Sequence, residues 1–388
     1  MNFRTRLYLF RFCNAFTLIF PLYVAMFVDI GLSPTQISVC LTAWSVTTFL
    51  TQTFAGAAAD RWSRRLVLAF GQVAFTGCFA LWWAFPNFIG IFTGLILWGF
   101  KSASTQGVFE ALVYDELNAE GRAEDYLHVL GRARAVDSMG SLASAVWAAA
   151  LTGYGYGPAI AGSMAAAVVG IFAALALPAA PKALAREPMG YWTRLSRGLG
   201  EVRRRPAILA VLVFAACLAT VGPGLQEYWP VYGRGVGLGL PVISLIVCGQ
   251  FIVEALANLV AWRLREVATG WFFAAYAGLG LALSAAAAVY AAPMMAVLIL
   301  YSGGMRLMDA VFEGKLQALI PTETRATIGA VKGLCTQVGM TSLFTLIGAV
   351  AEGASYRTAF AVIGAAVTVI GLAWLIGSRL RARATASG

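Results

Sequence analysis

Long apolar runs follow one another along the chain, ISVCLTAWSVTTFLTQTF at 37–54 and LVLAFGQVAFTGCFALWWAF at 66–85 among them, with short polar connections between. A helix needs about 20 apolar residues to cross a bilayer, and a chain of this length leaves room for about twelve such helices. The runs predict helices over 7–30, 33–58, 66–86, 88–116, 126–152, 156–179, 207–232, 238–262, 270–292, 293–319, 325–351 and 356–378. Only the connection at 180–206, which contains PAAP and RRRP, is long and polar enough to be a linker. It divides the helices into six and six.

The two sets echo each other. GVFEALVYDEL at 107–117 in the fourth helix matches AVFEGKLQALI at 310–320 in the tenth, which superimposes Glu110 on Glu313. Just downstream, GRAR at 131–134 matches GAVK at 329–332, which superimposes Arg134 on Lys332. Weak internal symmetry of this kind accompanies two bundles packed about a central cavity. The expected fold class is an all-α membrane protein of twelve transmembrane helices in two pseudo-symmetric six-helix bundles. The bundles occupy 1–180 and 207–378, with a basic cytoplasmic linker at 181–206 and a cytoplasmic tail at 379–388.

Composition agrees with a lipid solvent. The chain has 388 residues, 60% hydrophobic and 12% charged, against about 25% charged in a soluble globular protein. The net charge of +10 raises nucleic acid as a partner, but the distribution of the cations points elsewhere. Threading the helices alternately puts Arg4, Arg6, Arg61, Arg64, Arg65, Arg122, the linker cations, Arg263, Arg265, Arg325 and the tail arginines on one side, with only Arg234 and Arg357 opposite. The positive-inside rule then places both termini in the cytoplasm. Anionic lipid headgroups are the natural partner of that charge, and no nucleic acid is needed to explain it. Arg4 and Arg6 precede an apolar run too long for a signal peptide and without an A-x-A cleavage site, so the run is read as the first spanning helix. The six cysteines lie scattered in predicted helices without a C-x-x-C, and are read as buried small side chains rather than a metal or disulfide framework. The single histidine, His128, falls near the cytoplasmic start of the fifth helix, where an interfacial role is expected.

The loop GAAADRWSRR at 56–65 resembles the connection between helices two and three of the major facilitator superfamily, whose pattern is G-x-x-x-D-[RK]-x-G-[RK]-[RK]. Gly56, Asp60, Arg61, Arg64 and Arg65 match that pattern, and Ser63 replaces its second glycine. LIPTETRATIGAV, in the tenth-to-eleventh connection, resembles the I-P-x-x-x-R-A-T stretch common in the same family. With the six-plus-six layout, the resemblance spans essentially the whole chain. It implies that the loop is a cytoplasmic latch. Asp60 would accept hydrogen bonds at the amino end of the eleventh helix near Arg325, where dipole and free N–H groups favour an anion. Arg61, Arg64 and Arg65 would pair with acids or headgroups. A plain positive-inside anchor is the competing reading. The second half carries Trp262 where the aspartate would stand, so any latch there is degenerate. The helix-four motif R-x-x-Q-G of drug exporters is only partly present: Gln106 and Gly107 fit, Ala103 stands at the arginine position, and Lys101 lies two residues away. In the tenth helix Arg306 sits at the matching spacing, with Asp309 on the same face. The antiporter motif of helix five is not seen.

An ionisable group in mid-membrane costs about 2.5–3.5 kcal/mol on insertion scales and normally meets a partner or a watery cavity. Lys101, Asp137, Glu254, Arg306 and Asp309 fall near the midplane. Arg134, Lys332, Glu110 and Glu313 lie nearer the cytoplasm, and Arg11 and Asn14 lie in the cytoplasmic half of helix one. The bases Arg11, Lys101, Arg134, Arg306 and Lys332 equal in number the acids Glu110, Asp137, Glu254, Asp309 and Glu313, which suggests paired charges. The expected pairs are Lys101 with Asp137, Arg134 with Glu110, and Lys332 with Glu313. Static ion pairs without a transport role are the competing reading. With the one histidine placed at the cytoplasmic start of a helix rather than in mid-membrane, proton coupling falls to carboxylates, with Asp137 and Glu254 foremost by depth and Asp309, Glu110 and Glu313 behind them. Lys101, Arg306, Asn14, Trp98 and Gln250 are the candidate substrate-binding residues. Trp98 and Trp147 are read as core or cavity lining, and Trp82, Trp83, Trp192 and Trp271 as a lipid-facing belt. Gly303 and Gly304 are expected to allow close helix approach.

The leading expectation is a monomeric secondary transporter of the inner membrane. It would work by alternating access, with protons and a small-molecule substrate as partners, and without cofactor or metal. Proton-coupled efflux of an amphipathic or drug-like compound is favoured. The alternative is transport of an organic anion clamped by Lys101 and Arg306. A non-transporting receptor or lipid-handling scaffold is the reading from another class. An enzyme is disfavoured, because the chain has no Walker A loop, H-E-x-x-H or nucleophile elbow and only one histidine for acid–base work.

Overall fold

In lipid a lone segment can satisfy its backbone only by closing hydrogen bonds within itself, and the apolar runs do so. The computed structural model describes residues 3–178, 191–321 and 324–386, and no strand occurs among them. The chain divides into two compact units, one formed by residues 1–191 with 240–248, the other by 192–239 with 249–388.

The first half runs through α1 (Phe3–Ala15), α2 (Tyr23–Asp29), α3 (Pro34–Arg61), α4 (Arg64–Ala84), α5 (Phe88–Thr105), α6 (Val108–Ala119), α7 (Tyr126–Leu151) and α8 (Gly157–Leu175). Then come α9 (Tyr191–Arg204), α10 (Pro206–Gln226), α11 (Trp229–Gly235), α12 (Leu240–Val260), α13 (Thr269–Val289), α14 (Met294–Leu319), α15 (Arg325–Gly353) and α16 (Tyr356–Ala386). Taking α1 with α2, α5 with α6, and α10 with α11, these make the six and six of the fold class, plus a helix inside the linker.

Three of the expected continuous helices are therefore broken. The first ends at Ala15 and resumes at Tyr23, after Pro21, which has no N–H to carry a helix through. The fourth breaks at Gln106–Gly107, where Gly107 takes φ +77, a conformation costly for any residue with a Cβ. The seventh carries Pro223 within α10 and restarts at α11 with Pro230 in its first turn. The linker is also not featureless. Residues 179–190 lie outside the described part, but α9 forms directly before α10.

Nine segments of the described residues are long and apolar enough to cross a membrane: α4, α5–α6, α8 and the six of the second half. The other three carry the polar load of the first half. Helix α1 holds Arg4, Arg6 and Arg11, α3 is rich in threonine and serine, and α7 holds Arg132, Arg134 and Asp137. Large apolar side chains lie bare on the outside, Phe54 at 73% and Trp271 at 72% exposure among them. Exposure on that scale marks a surface built for lipid rather than water.

In the first unit α1 packs on α7 and α8, α4 on α5 and α8, and α3 on α5. In the second, α10 packs on α14 and α15, and α13 on α16. Small residues make these approaches possible, since helices in lipid associate by close van der Waals fit. A Cβ on Gly364 would stand 2.4 Å from Ser284 Oγ, and one on Gly371 2.6 Å from the Ala277 nitrogen. Gly303 and Gly304 serve as expected, with Val253 and Leu279 lying where their side chains would go. Between α6 and α7, Arg122 and Arg4 both pair with Asp125. The hydrogen bond from Arg122, reinforced by the surrounding positive charge, holds the Asp125 carboxyl below the usual carboxylate range.

Candidate functional site

The polar residues inside the first unit converge where α1 ends. Helix α1 brings Arg11 and Asn14 to its last turns, α4 supplies Gln72, α5 supplies Lys101, and α7 supplies Asp137. Arg11 forms the ion pair with Asp137, and its guanidinium lies over the Phe109 ring, 4.6 Å from the centroid. The expected Lys101–Asp137 pair is thus replaced. Helices four and five are neighbours in sequence, but α7 packs against α1, where Gly140 lets it approach the backbone of Phe12.

Lys101 is only 8% exposed and has no carboxylate partner among the described residues. Its ammonium reaches the backbone carbonyl of Asn14 at 3.4 Å and sits 4.3 Å from the centroid of Phe75. A carbonyl at a helix C-terminus and an aromatic face both attract a cation, each weakly compared with a carboxylate. Gln72, fully buried, donates to Asn14 Oδ1 at 2.9 Å, while its own Oε1 has no hydrogen-bond partner. Sequence reasoning passed over Gln72, although a lone amide in the run LVLAFGQVAF was the signal that could have found it.

Trp98 lies among the rings of Phe20, Tyr23, Phe75, Phe79 and Trp82, with centroids 4.9 to 6.3 Å away. The core reading of Trp98 therefore prevails. Trp82, expected in the lipid-facing belt, belongs to the same cluster and is 1% exposed. Its neighbour Trp83 and Trp271 are exposed as expected, and the Trp192 side chain is outside the described set; Trp147, read as core or cavity lining, is instead 56% exposed on α7.

The second unit holds a different set. Glu254 on α12 accepts hydrogen bonds from Gln226 Nε2 at 2.6 Å and Gln250 Nε2 at 2.9 Å, with no cation at ion-pair distance among the described residues. Gln226 ends α10 at the break before α11 and was not anticipated. Arg306 pairs with Asp309 one turn on, at 3.1 Å. Lys332 pairs with Glu313, as expected, and Gln317 adds a hydrogen bond to Glu313 at 2.8 Å.

The matching pair in the first half does not form. Glu110 turns back to accept from the Gly107 N–H at 3.0 Å, capping α6, and Arg134 is exposed. The helix break at Gly107 makes Glu110 a first-turn residue with free N–H groups in reach, where an acid is favoured.

In the loop motif, Gly56 and Asp60 lie in the closing turns of α3 and Arg61 ends it. Arg64 starts α4 and pairs with Asp115 on α6, also donating to the Ala111 carbonyl at 2.9 Å. This fastens the loop within its own unit through an acid that the sequence reading did not single out. Arg61 is exposed and Arg65 half-buried. The side chains of Asp60 and Arg325 are outside the described set.

Comparison with known proteins supplies the context for these charges. A sequence profile described as Major Facilitator Superfamily matches residues 7–340. The crystal structure of the nucleoside transporter NupG superposes with a TM-score of 0.80 at 15% identity, covering 97% of this chain and 99% of that one. An auto-inhibited peptide transporter of the POT family gives 0.72 at 14% identity over 97% and 96%. A D-xylose–proton symporter gives 0.66 at 14% identity over 95% of both chains. Among curated protein sequences no match is found. The profile covers most of the chain and the same fold recurs in these transporters, so the protein belongs to the Major Facilitator Superfamily and is a multi-pass membrane transporter rather than an enzyme.

Proposed function

We propose that the protein is a proton-coupled secondary transporter that exports a small amphipathic organic solute bearing an anionic group, by alternating access. The observation that carries this reading is Lys101, a buried cation held by one carbonyl and one ring and left without a counter-charge. A spanning helix retains such a group at a cost of about 2.5–3.5 kcal/mol, and the carboxylate or phosphate of a bound solute is the partner that would offset it. The leading and alternative expectations thus merge, with amphipathic character from the lipid-rich setting and anionic character from Lys101.

Glu254 is the preferred proton carrier. Two amides hold its carboxylate, and among the described residues no base lies at ion-pair distance from it. Asp137, Asp309 and Glu313 are each already held in an ion pair with a base, and Glu110 caps a helix. The nucleoside, peptide and D-xylose–proton transporters of like fold lend weight to a small organic solute. The direction rests on the family resemblance of the 56–65 loop.

The test is flux in proteoliposomes under an imposed pH gradient, with amphipathic carboxylates and phosphates set beside their neutral amide analogues. Lys101→Met should weaken anion transport at least about tenfold, the equivalent of losing about 1.4 kcal/mol, and leave any flux of the neutral analogue unchanged. Glu254→Gln should abolish the response to the pH gradient while substrate exchange continues. Undiminished anion flux in Lys101→Met would remove the basis of the proposal.

A further inference from the structure

Helix α9 lies in the linker and leads, through Arg205, directly into α10, whose membrane-crossing segment begins at Pro206. Its two faces have opposite chemistry. Leu195 and Val202 are buried, and between them Gly198 meets α15 so closely that a Cβ would stand 2.3 Å from the Thr327 carbonyl and 2.8 Å from Val331. At 100° per residue, positions 195, 198 and 202 fall on one stripe. Arg197 and Arg204 fall opposite that stripe and Arg203 lies to one side, all three exposed. None of the three has an ion-pair partner among the described residues, whereas Arg205 is paired with Glu201. A helix that only had to fasten the linker needs the inner stripe and not the outer one.

We propose that the outer face of α9 is a docking surface for anionic phospholipid headgroups, and that their binding keeps α9 seated on α15. Lipid is the occupant because the arginines stand at the foot of a spanning helix, where headgroups lie. Each such cation near an anionic leaflet contributes about 1 kcal/mol. The seat touches Thr327 and Val331 of α15, and Val331 adjoins Lys332, whose ammonium pairs with Glu313 on α14. Headgroup binding outside the bundle is thereby linked to the placement of the part-exposed Lys332–Glu313 ion pair. The inference needs the protein to reside in a membrane and makes no use of the solute proposed above, so either can fail without the other.

The experiment places the full chain in nanodiscs of phosphatidylcholine alone or with phosphatidylglycerol, and follows hydrogen exchange of the α9 amides. Phosphatidylglycerol should slow exchange across α9 by about tenfold or more, equivalent to about 1.4 kcal/mol. In the triple variant Arg197→Gln, Arg203→Gln, Arg204→Gln, this response should be lost while α13 and α16 exchange as in the parent. Gly198→Leu should unseat the helix and leave α9 fast in both lipids, yet retain phosphatidylglycerol in native mass spectra. Equal protection in the two lipids, an undiminished response in the triple variant, or equal protection by a soluble polyanion would each overturn the proposal.

Discussion

Gly107 and Ala310 stand three residues before Glu110 and Glu313, in stretches that otherwise match, and the difference between them redirects an acid. Gly107 adopts φ +77, α5 ends, and Glu110 caps the new helix; Ala310 lets α14 run on, and Glu313 meets Lys332. A Cβ on Gly107 would meet nothing within 4 Å, so the effect of Gly107→Ala is conformational alone. It should destabilise by about 1–2 kcal/mol, the strain of a left-handed residue with a side chain. Gly131 also has open space around it, but it lies within α7 without a positive φ. Gly131→Ala should be neutral or stabilise by up to about 1 kcal/mol. Thermal unfolding of the two variants in one detergent checks the contrast, and similar behaviour would mean that the break does not depend on glycine.

How far the helices were legible, and how far their partners were, is clearest from Arg11, Lys101 and Asp137. Depth follows from position along an apolar run, so the sequence identified these groups as membrane-embedded. Their partners depend on which helices pack and on which faces meet, and neither quantity is local. Adjacency in sequence favoured Lys101 with Asp137, whereas α7 packs on α1 and gives Asp137 to Arg11. Lys332 with Glu313 was legible because α14 and α15 carry both groups close to their shared connection. Gln72 and Gln226 escaped notice because a search for charge passes over amides, although each completes a polar cluster. The Arg11–Asp137 pair tests the packing of α1 on α7. Arg11→Met leaves a half-buried carboxylate alone and should destabilise by about 3–5 kcal/mol. Adding Asp137→Leu should recover most of that loss, because an apolar pair of similar volume replaces an ion pair at little net change. A double-mutant cycle on unfolding midpoints measures the coupling, and additive effects would mean that the two side chains do not interact.

Across the whole molecule the halves match in helix number but not in polarity. Among the described residues, all six segments of the second half meet the length and hydropathy needed to span, and three of the first do. The apolar runs and the all-helical fold were legible because lipid imposes length and composition on every segment. The breaks before α2, α6 and α11 were not, since each stays within one apolar run and depends on one or two residues of proline or glycine chemistry. The polar first half also makes the orientation a sharper question, because hydropathy alone identifies α1 and α7 poorly and the arginine distribution must decide. Arg122 lies in the connection from α6 to α7, and Arg234 in the last turn of α11. If cations set the orientation, the first connection is cytoplasmic and the second external. A single added cysteine at Glu124 or at Gly239, both exposed, reports each side against the parent chain with its six native cysteines. On intact cells a membrane-impermeant thiol reagent should add label to Gly239→Cys and none to Glu124→Cys, and on inverted vesicles the pattern should reverse. The opposite labelling would put both termini outside, and would turn the arginines of the linker and of α9 away from the anionic cytoplasmic leaflet.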